Sequence, residues 1–519
     1  MQRPPAMPIL RWAIFPVLFL CLLFPLPLHA QGLAERVVSH RLSNGMQVLM
    51  LPRRRAPIIS LSITYNVGSV NEHSGITGIA HLYEHMAFKG TETLGTSDYA
   101  KERPILAQIE QANELLLRER ARGDAADPKQ IQKLNQKIEG LEAEAGRFVV
   151  VNELGNLYER HGAVGFNAST GRDVTSYTVS LPANRLPLWI AIESDRMAHP
   201  VMREFYKERQ VVLEERLRSV ETNPGGKLAE AFYSAAFVAH PYGDPTLGWP
   251  SDVGNLSALQ TAAFFGQYYA PNNAILAIVG DFQPEEVIPL LEAAFGVIPV
   301  GLPPASVVTV EPPQRGERRI EIEDTANPQV LIGYHRPGIS HPDDAVFDVI
   351  DTLLSDGRSS RLHKRLVEEK KIAVSIHTGV GSPGSKYPNL FTVFATPKAP
   401  HTTAEIEAAV DLEIVRLKIE PISQAELDTV ITRIDAALLR SLRSSSGLAS
   451  QLGYFESVAG SWRYLLENRD AIARVTPADV MRVAHFYFSK TNRTVATLVK
   501  REQPGAAPSE PPEKAPSAP

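Results

Sequence analysis

The alternation of apolar runs and turn-forming residues divides the chain beyond residue 30 into short predicted strands. Residues 37–42, 47–51 and 58–66 are rich in β-branched and aliphatic side chains, and Asn44-Gly45 separates the first two runs. Such runs, bounded by turn residues, predict strands. Several helical patterns follow before residues 274–279, which predict a further strand.

A Pro-rich stretch at residues 299–313 interrupts this order, which then repeats. It predicts a linker between an N-terminal domain of residues 31–298 and a C-terminal domain of residues 314–502. The second part is expected to contain strands near 319–323, 329–334, 373–380, 389–396 and 495–499, and helices that begin near 343, 403 and 424. The repeated order indicates a duplicated unit. Residues 503–519 are rich in Pro, Ala, Ser and Glu and predict a disordered tail.

Residues 101–150 carry a different pattern, in which apolar side chains recur at helical spacing on both sides of a polar turn. These side chains are Ile105, Ile109, Ala112 and Leu116 in the first segment and Ile131, Leu134, Ile138 and Leu141 in the second. The pattern predicts a helical hairpin inserted in the first half. The hairpin could be a docking or gating arm. A surface insertion is favoured, because two antiparallel helices need a narrow apolar seam merely to hold together.

The composition excludes several classes of protein. A chain of 519 residues that is 44% hydrophobic and 21% charged is neither disordered nor a small disulfide-bonded scaffold. Its formal net charge is -5, and no stripe of Lys and Arg runs along it. We therefore expect no nucleic-acid partner.

Residues 1–30 have the features of a signal peptide. Arg3 and Arg11 give a positive start, an apolar stretch follows, and Leu28-His29-Ala30 forms a suitable cleavage site. The stretch contains prolines and is short for a membrane span, so we expect cleavage, no stable membrane anchor, and a periplasmic or otherwise exported protein. The only cysteine, Cys21, would leave with this segment. Any metal in the mature chain must then be held by His, Asp and Glu.

Residues 81–85 are the strongest candidate for such a site. His81, Glu84 and His85 occupy positions i, i+3 and i+4, which share one face of a helix. Two imidazoles at this spacing can bind one Zn²⁺, with the glutamate beside the metal to take a proton from water. The alternative is a helix with two surface histidines, and the apolar residues around the motif argue against it.

A zinc site needs a third protein ligand, and without cysteine an acidic residue is the candidate. Glu208 and Glu215 lie two helical turns apart on one predicted face. One could bind the metal while the other supports a histidine ring. Spacing alone does not say which, and solvated surface carboxylates remain an alternative reading of the pair.

Residues 78–91 resemble the inverted zinc motif of the inverzincin metallopeptidases, the family of pitrilysin, insulysin and the mitochondrial processing peptidase. Residues 208–223 are similar to the family's downstream helix. This resemblance implies one Zn²⁺ per chain, bound by His81, His85 and Glu215. It makes Glu84 the catalytic base and gives Glu208 a supporting role.

Residues 165–170, followed by Thr175-Ser176-Tyr177, resemble the family's active-site edge strand. The resemblance implies that a peptide substrate adds there as an extra strand, with Asn167 and Ala168 in contact with it. Matches at Asp281 and at residues 354–362 extend the likeness over most of the chain. It implies an α+β fold of two similar halves, each an antiparallel sheet packed with helices.

Two departures from the family pattern bear on function. The interval between His85 and Glu215 is longer than usual, which the hairpin insertion explains. Val367 and Val374 stand where active members carry an Arg and a Tyr that stabilise the reacting carbonyl, and neither valine can donate a hydrogen bond. We therefore expect a zinc-dependent endopeptidase subunit that hydrolyses peptides or unfolded segments and pairs with a homologous companion as a heterodimer. The alternative is a non-catalytic binding or assembly subunit.

Overall fold

The computed structural model describes residues 32–501, so the predicted signal peptide and the Pro-rich tail lie outside the described residues. The chain divides into two units, residues 1–36 and residues 37–519. The described part of the first unit contains the four-residue helix α1, Leu33–Arg36. Within residues 32–501, no helix is both long enough and apolar enough to cross a membrane.

Six strands form the first sheet of the larger unit. They are β1 (Val38–Arg41), β2 (Gln47–Pro52), β3 (Ile58–Tyr65), β4 (Val164–Thr170), β5 (Thr175–Pro182) and β6 (Ala274–Gly280). Their order is β1-β2-β6-β3-β5-β4, so β4 lies at an edge. Every residue of β6 is buried, as expected for a central strand covered on both faces.

Nine helices surround this sheet and its connections. They are α2 (Ile79–Met86), α3 (Tyr99–Arg120), α4 (Pro128–Ala145), α5 (Glu153–Arg160), α6 (Leu186–Ala198), α7 (Phe205–Arg216), α9 (Pro250–Asn255), α10 (Ala258–Tyr268) and α11 (Pro284–Ala294). A tenth helix of this half, α8 (Pro224–Ala236), follows α7 after a π-helical turn at Leu217–Glu221.

The second sheet contains five strands: β7 (Arg318–Asp324), β8 (Gln329–Arg336), β9 (Ala373–Ser382), β10 (Asn389–Pro397) and β11 (Arg493–Lys500). Their order is β7-β11-β8-β10-β9. The accompanying helices are α12 (Asp344–Ser355), α13 (Thr403–Ile419), α14 (Gln424–Ser441), α15 (Ser445–Val458), α16 (Tyr464–Ile472) and α17 (Pro477–Tyr487).

The predicted α+β fold of two sheets packed by helices is confirmed, with one addition. Each sheet contains a parallel pair, β2 with β6 and β7 with β11, beside the expected antiparallel pairs. Both parallel pairs join strands from the two ends of their half, and the long intervening chain supplies the crossover that a parallel pair requires.

One helix from each half packs on the sheet of the other half. Helix α8 packs on β7, β8 and β11 of the second sheet, whereas α15 packs on β3, β5 and β6 of the first. Glycines allow both approaches: a Cβ at Gly333 would lie 2.4 Å from Cζ of Phe232, and one at Gly453 would lie 2.5 Å from Oγ1 of Thr64. Each sheet therefore completes its core with a helix from the other half.

The helical hairpin is present as α3 and α4. Their shared core contains Ile105, Ile109, Ala112, Leu116, Leu134, Ile138 and Ala145. The hairpin is anchored by Arg203, which is 1% exposed and donates from Nε to Glu102 over 2.6 Å. Arg203 also donates to the carbonyl oxygens of Lys89 and Thr91, so the base of the hairpin is tied to the loop that follows α2.

Candidate metal centre and substrate edge

Helix α2, which carries the H-x-x-E-H motif, is fixed at its start by a buried carboxylate. Glu72 accepts hydrogen bonds from the backbone N–H groups of Gly78 and Ala80, each over 2.8 Å. Gly78 has a φ of 86°, and a Cβ there would lie 2.8 Å from the carbonyl oxygen of Leu247. A side chain at Gly78 is excluded on both counts. These contacts fix the point at which α2 begins and enters the core.

The structure brings His81, His85 and Glu215 together. Oε2 of Glu215 lies 3.8 Å from Nε2 of His81 and 3.4 Å from Nε2 of His85. Ligand atoms that bind zinc at about 2.1 Å in a tetrahedron lie about 3.4 Å apart, so these three residues fit the ion. Among the described residues, they are the group of His, Asp and Glu side chains whose atoms converge in this way.

The two histidines differ in environment. Burial, together with the nearby His85, lowers the pKa of His81 to about 3, so this ring is neutral and its nitrogens can bind a metal. Burial alone would lower the pKa of His85 too, but the hydrogen bond with Glu208 and the charge of Glu215 raise it above the ordinary value. The side chain of Glu215 is 41% exposed, so the cluster opens towards solvent on that side.

Glu208 lies beside the cluster rather than in it. Its Oε2 is 3.3 Å from Nδ1 of His85, and its Oε1 is 2.5 Å from Nζ of Lys89. Burial would raise the pKa of Glu208, but the partners His85 and Lys89 outweigh it and leave the pKa lowered. An ionised Glu208 can accept a hydrogen bond from Nδ1–H of His85 and so leave Nε2 free for a metal.

Glu84 faces the last residue of the edge strand. Oγ1 of Thr170 donates to Oε2 of Glu84 over 2.7 Å. Burial raises the pKa of Glu84, and the hydrogen bond from Thr170 acts in the opposite direction. A backbone hydrogen bond from Thr170 to the same carboxylate acts in that direction too. A half-buried carboxylate with a raised pKa, held beside two imidazoles, is suited to general base chemistry.

Among residues 32–501, strand β4 pairs with β5 alone, so its outer edge carries no further strand from this part of the chain. Asn167 is exposed on this edge and lines a cavity of about 350 Å³ together with Glu84, His85 and Phe88. Ala168 is half-buried and packs against the first core. The structure therefore places Asn167 next to the candidate metal ligands, whereas the side chain of Ala168 points into the protein.

Sequence reasoning missed two residues of this site. Thr170 was inside the hexapeptide that resembles an edge strand, but no spacing rule connects it with Glu84. Lys89 follows the H-x-x-E-H motif by one helical turn and pairs with both Glu204 and Glu208. Its position one turn beyond His85 was a usable signal, since two half-buried carboxylates close together favour a cation between them.

The second half repeats one of these contacts without the metal ligands. Oγ1 of Thr378, on the edge strand β9, donates to Oδ1 of Asp351 on α12 over 2.6 Å. This arrangement parallels Thr170 and Glu84, but α12 contains no histidine. Val367 packs against the second core, and Val374 is 61% exposed on β9. Neither valine offers a polar group.

Two family descriptions match this chain. "Insulinase (Peptidase family M16)" matches residues 48–108 and 149–249, and "Peptidase M16 inactive domain" matches residues 255–434. The chain belongs to the pitrilysin-type peptidase family M16, with its two domains. The interval between the first two matched segments covers most of the helical hairpin, as an insertion would.

Named relatives extend over nearly the whole chain. The zinc protease PqqE of Helicobacter pylori is 28% identical over 479 residues, which cover 91% of this chain and 94% of that protein. The crystal structure of a protease from Helicobacter pylori has a TM-score of 0.75 at 26% identity, covering 89% of this chain and 99% of that one. A peptidase M16 inactive domain from Pseudomonas fluorescens shares the fold, with a TM-score of 0.71 at 16% identity, covering 90% of this chain and 98% of that one.

Proposed function

We propose that this protein is a zinc-dependent endopeptidase subunit. The observation that carries the proposal is the convergence of His81, His85 and Glu215 beside Glu84. The names of its relatives, which are called zinc proteases, support the metal and the reaction class. A zinc ion held by these ligands would act as a Lewis acid that polarises water and the carbonyl group of a peptide.

The chain's own residues would move the proton. Thr170 orients the carboxylate of Glu84, which would accept a proton from the attacking water. The same carboxyl then delivers that proton to the nitrogen of the leaving amine as the C–N bond breaks. Glu208 would keep His85 oriented through Nδ1 during both steps.

The substrate would be a peptide or an unfolded segment in extended form. Only an extended chain can add to the edge of β4 by main-chain hydrogen bonds. The cavity beside Asn167 would take the side chain next to the cleaved bond, and Phe88 and Val151 line it.

A companion subunit would supply the groups that stabilise the reacting carbonyl. Val367 and Val374 lack hydrogen-bond donors on their side chains, and the second half matches a domain described as inactive. A heterodimer with a homologous chain that carries an Arg and a Tyr would complete the site. We further propose export to the periplasm after removal of residues 1–30, which rests on the signal-like sequence alone.

The second candidate is a non-catalytic binding or assembly subunit. The description of residues 255–434 as an inactive domain favours it. The base at Glu84 argues against it, because a purely structural zinc site has no use for a base.

The Glu84→Gln variant tests the proposal. Wild type and variant are purified, with and without the companion chain, and both zinc content and cleavage of unfolded casein are measured. We expect the variant to keep its zinc and lose cleavage. Unchanged cleavage would refute the role of Glu84. Absence of cleavage in the wild type with its companion would favour the non-catalytic alternative.

A further inference from the structure

A second cavity opens at the other end of the edge strand from Thr170. Its volume is about 480 Å³, and Val164, the first residue of β4, is part of its wall. Three arginines line it: Arg53, Arg55 and Arg443. No acidic side chain is among the described residues that line the cavity. A local cluster of cations is unexpected in a chain whose net charge is -5.

The cations share the cavity with several apolar side chains. Arg55 and Arg443 are exposed, whereas Arg53 is half-buried and donates from Nη1 to the carbonyl oxygen of Leu442 over 3.2 Å. The apolar part of the lining is formed by Ala56, Ile58, Val164, Leu181 and Pro182. Ser445 and Ser446, at the start of helix α15, also line the cavity, and a helix start favours an anion. The chemistry of the site therefore suits a carboxylate carried on a partly apolar ligand.

The register of the sheet connects this cavity with the edge strand. Ser60 pairs with Ser180, and Ser180 pairs with Val164, so these three side chains form a row across β3, β5 and β4. All three line the cavity. A peptide added to the edge of β4 would place its own side chain next in the row, because paired residues of adjacent strands share one face.

We propose that this cavity binds a carboxylate of the peptide substrate on the C-terminal side of the cleaved bond. The inference rests on the proposed function, in which the peptide adds to β4. A peptide antiparallel to β4 runs towards its C-terminus from Thr170 to Val164, and the arginines would repel the terminal amine of a peptide in the opposite direction. The cleaved bond lies between the positions opposite Asn167 and Thr170. Strand β4 has a register shift between Val164 and Asn167. The carboxylate therefore falls two to six residues beyond the cleaved bond, roughly 7 to 20 Å at about 3.3 Å per residue.

Two sources can provide this carboxylate: an Asp or Glu side chain, and the C-terminus of a short peptide. Both are tested by digesting a defined library of peptides, in amidated and free-acid forms, and sequencing the products by mass spectrometry. We expect Asp or Glu to be enriched about fivefold at one of the positions two to six residues beyond the cleaved bond, from two exposed arginine contacts. A preference for free-acid over amidated peptides at a fixed distance from the C-terminus would identify the main-chain source.

The double variant Arg55→Gln with Arg443→Gln should lose this preference and retain the rate on peptides with neutral residues. Arg54→Gln is the matched control, because Arg54 is an exposed neighbour that does not line the cavity. Circular dichroism of all variants monitors folding. Cleavage without any preference for acidic residues, or a preference that the double variant keeps, would overturn the inference and leave the proposed function intact.

A binding measurement decides the question independently of turnover. Fluorescein-labelled peptides that carry either Glu or Gln at the expected position are titrated into the Glu84→Gln protein, with and without the arginine substitutions. We expect the Glu peptide to bind about fivefold more tightly, with the difference removed by the double variant and by high salt. Equal affinity of the two peptides would contradict the inference even if no cleavage were ever observed.

Discussion

Thr170 donates a hydrogen bond from Oγ1 to Oε2 of Glu84 over 2.7 Å, and it thereby joins the edge strand to the candidate base. The carboxylate lies on helix α2 and the hydroxyl on strand β4, 86 residues apart in the chain. This contact ties the surface on which a peptide would lie to the residue that would act on it. Its loss should affect the rate more than metal binding.

We expect Thr170→Val to lower kcat about tenfold, because losing a hydrogen bond to a charged group costs roughly 1.5 kcal/mol. KM and zinc content should change little. Steady-state kinetics on a fluorogenic peptide, together with metal analysis, provide the measurement. Thr170→Ser keeps the hydroxyl and should retain most of the rate. Equal kinetics for wild type and Thr170→Val would show that the contact does not position Glu84.

The prediction for the metal site distinguishes Glu215, a proposed zinc ligand, from its neighbour Glu214. Glu215→Gln should reduce zinc from about one per chain to well below stoichiometry, since a neutral amide is a poor replacement for the carboxylate ligand. Glu214→Gln is the control, because Glu214 is 52% exposed and its carboxylate oxygen is 3.8 Å from Arg218. Atomic absorption on dialysed protein gives the comparison. Similar zinc content in both variants would exclude Glu215 as a ligand.

The anchor of the hairpin predicts a large effect on stability. Glu102→Gln leaves the buried cation of Arg203 without a counter-charge, and breaking a buried pair costs about 3 kcal/mol in the free energy of unfolding. Glu114→Gln, on the exposed face of the same helix, should cost no more than about 0.5 kcal/mol. Urea denaturation of both variants tests the difference. A smaller loss in Glu102→Gln than in Glu114→Gln would contradict it.

One carboxylate anchors the C-terminal part of the linker, whereas Gly301 near its start exchanges hydrogen bonds with Asn272. Glu311 accepts hydrogen bonds from the backbone N–H groups of Val238, Ala239 and His240, and its side chain is 5% exposed. Burial would raise its pKa, but these three donors leave the pKa lowered. We expect Glu311→Ala to make residues 299–313 more susceptible to thermolysin than they are in wild type. Glu321→Ala, on the exposed side of β7, serves as control. Identical digestion of all three proteins would refute this role.

One buried acid predicts a pH dependence of stability. Burial raises the pKa of Asp348, and the neighbouring Asp344 raises it further. An acid whose pKa is higher in the folded state destabilises that state progressively as pH rises above its unfolded value, about 3.9. Asp348→Asn should therefore become more stable relative to wild type between pH 5 and pH 8. Thermal unfolding midpoints measure this, and a difference that shrinks with rising pH would contradict the assignment.

Local patterns predicted much of this fold. The seam of the hairpin followed from helical spacing, because two helices joined by a short turn pack against each other. His81, Glu84 and His85 followed from the periodicity of a single helix. Glu208 and Glu215 were found as a pair by the same reasoning, and the resemblance then assigned their roles. In each case the contacts form between residues of one element or of two consecutive elements.

Contacts between distant segments were beyond this reasoning. The parallel pairing of β2 with β6 depends on which strands the intervening helices bring together, and nothing in either strand specifies its neighbour. Likewise, nothing in α8 or α15 specifies that each packs on the sheet of the other half. Thr170 could not be linked with Glu84, since strand register and helix orientation together determine that distance.

The packing of α8 and α15 on opposite sheets gives a reason why the chain retains a half that has no metal ligands. Helix α8 begins a few residues after Glu215 and is held by the second sheet, so the carboxylate at the end of α7 is positioned partly from outside its own sheet. Helix α15 in turn covers β3 and β6, together with β5, the neighbour of the edge strand. Selection on the chemistry of one half therefore also acts on the packing of the other. A gene shortened at the linker would encode neither an independent catalyst nor an independent scaffold.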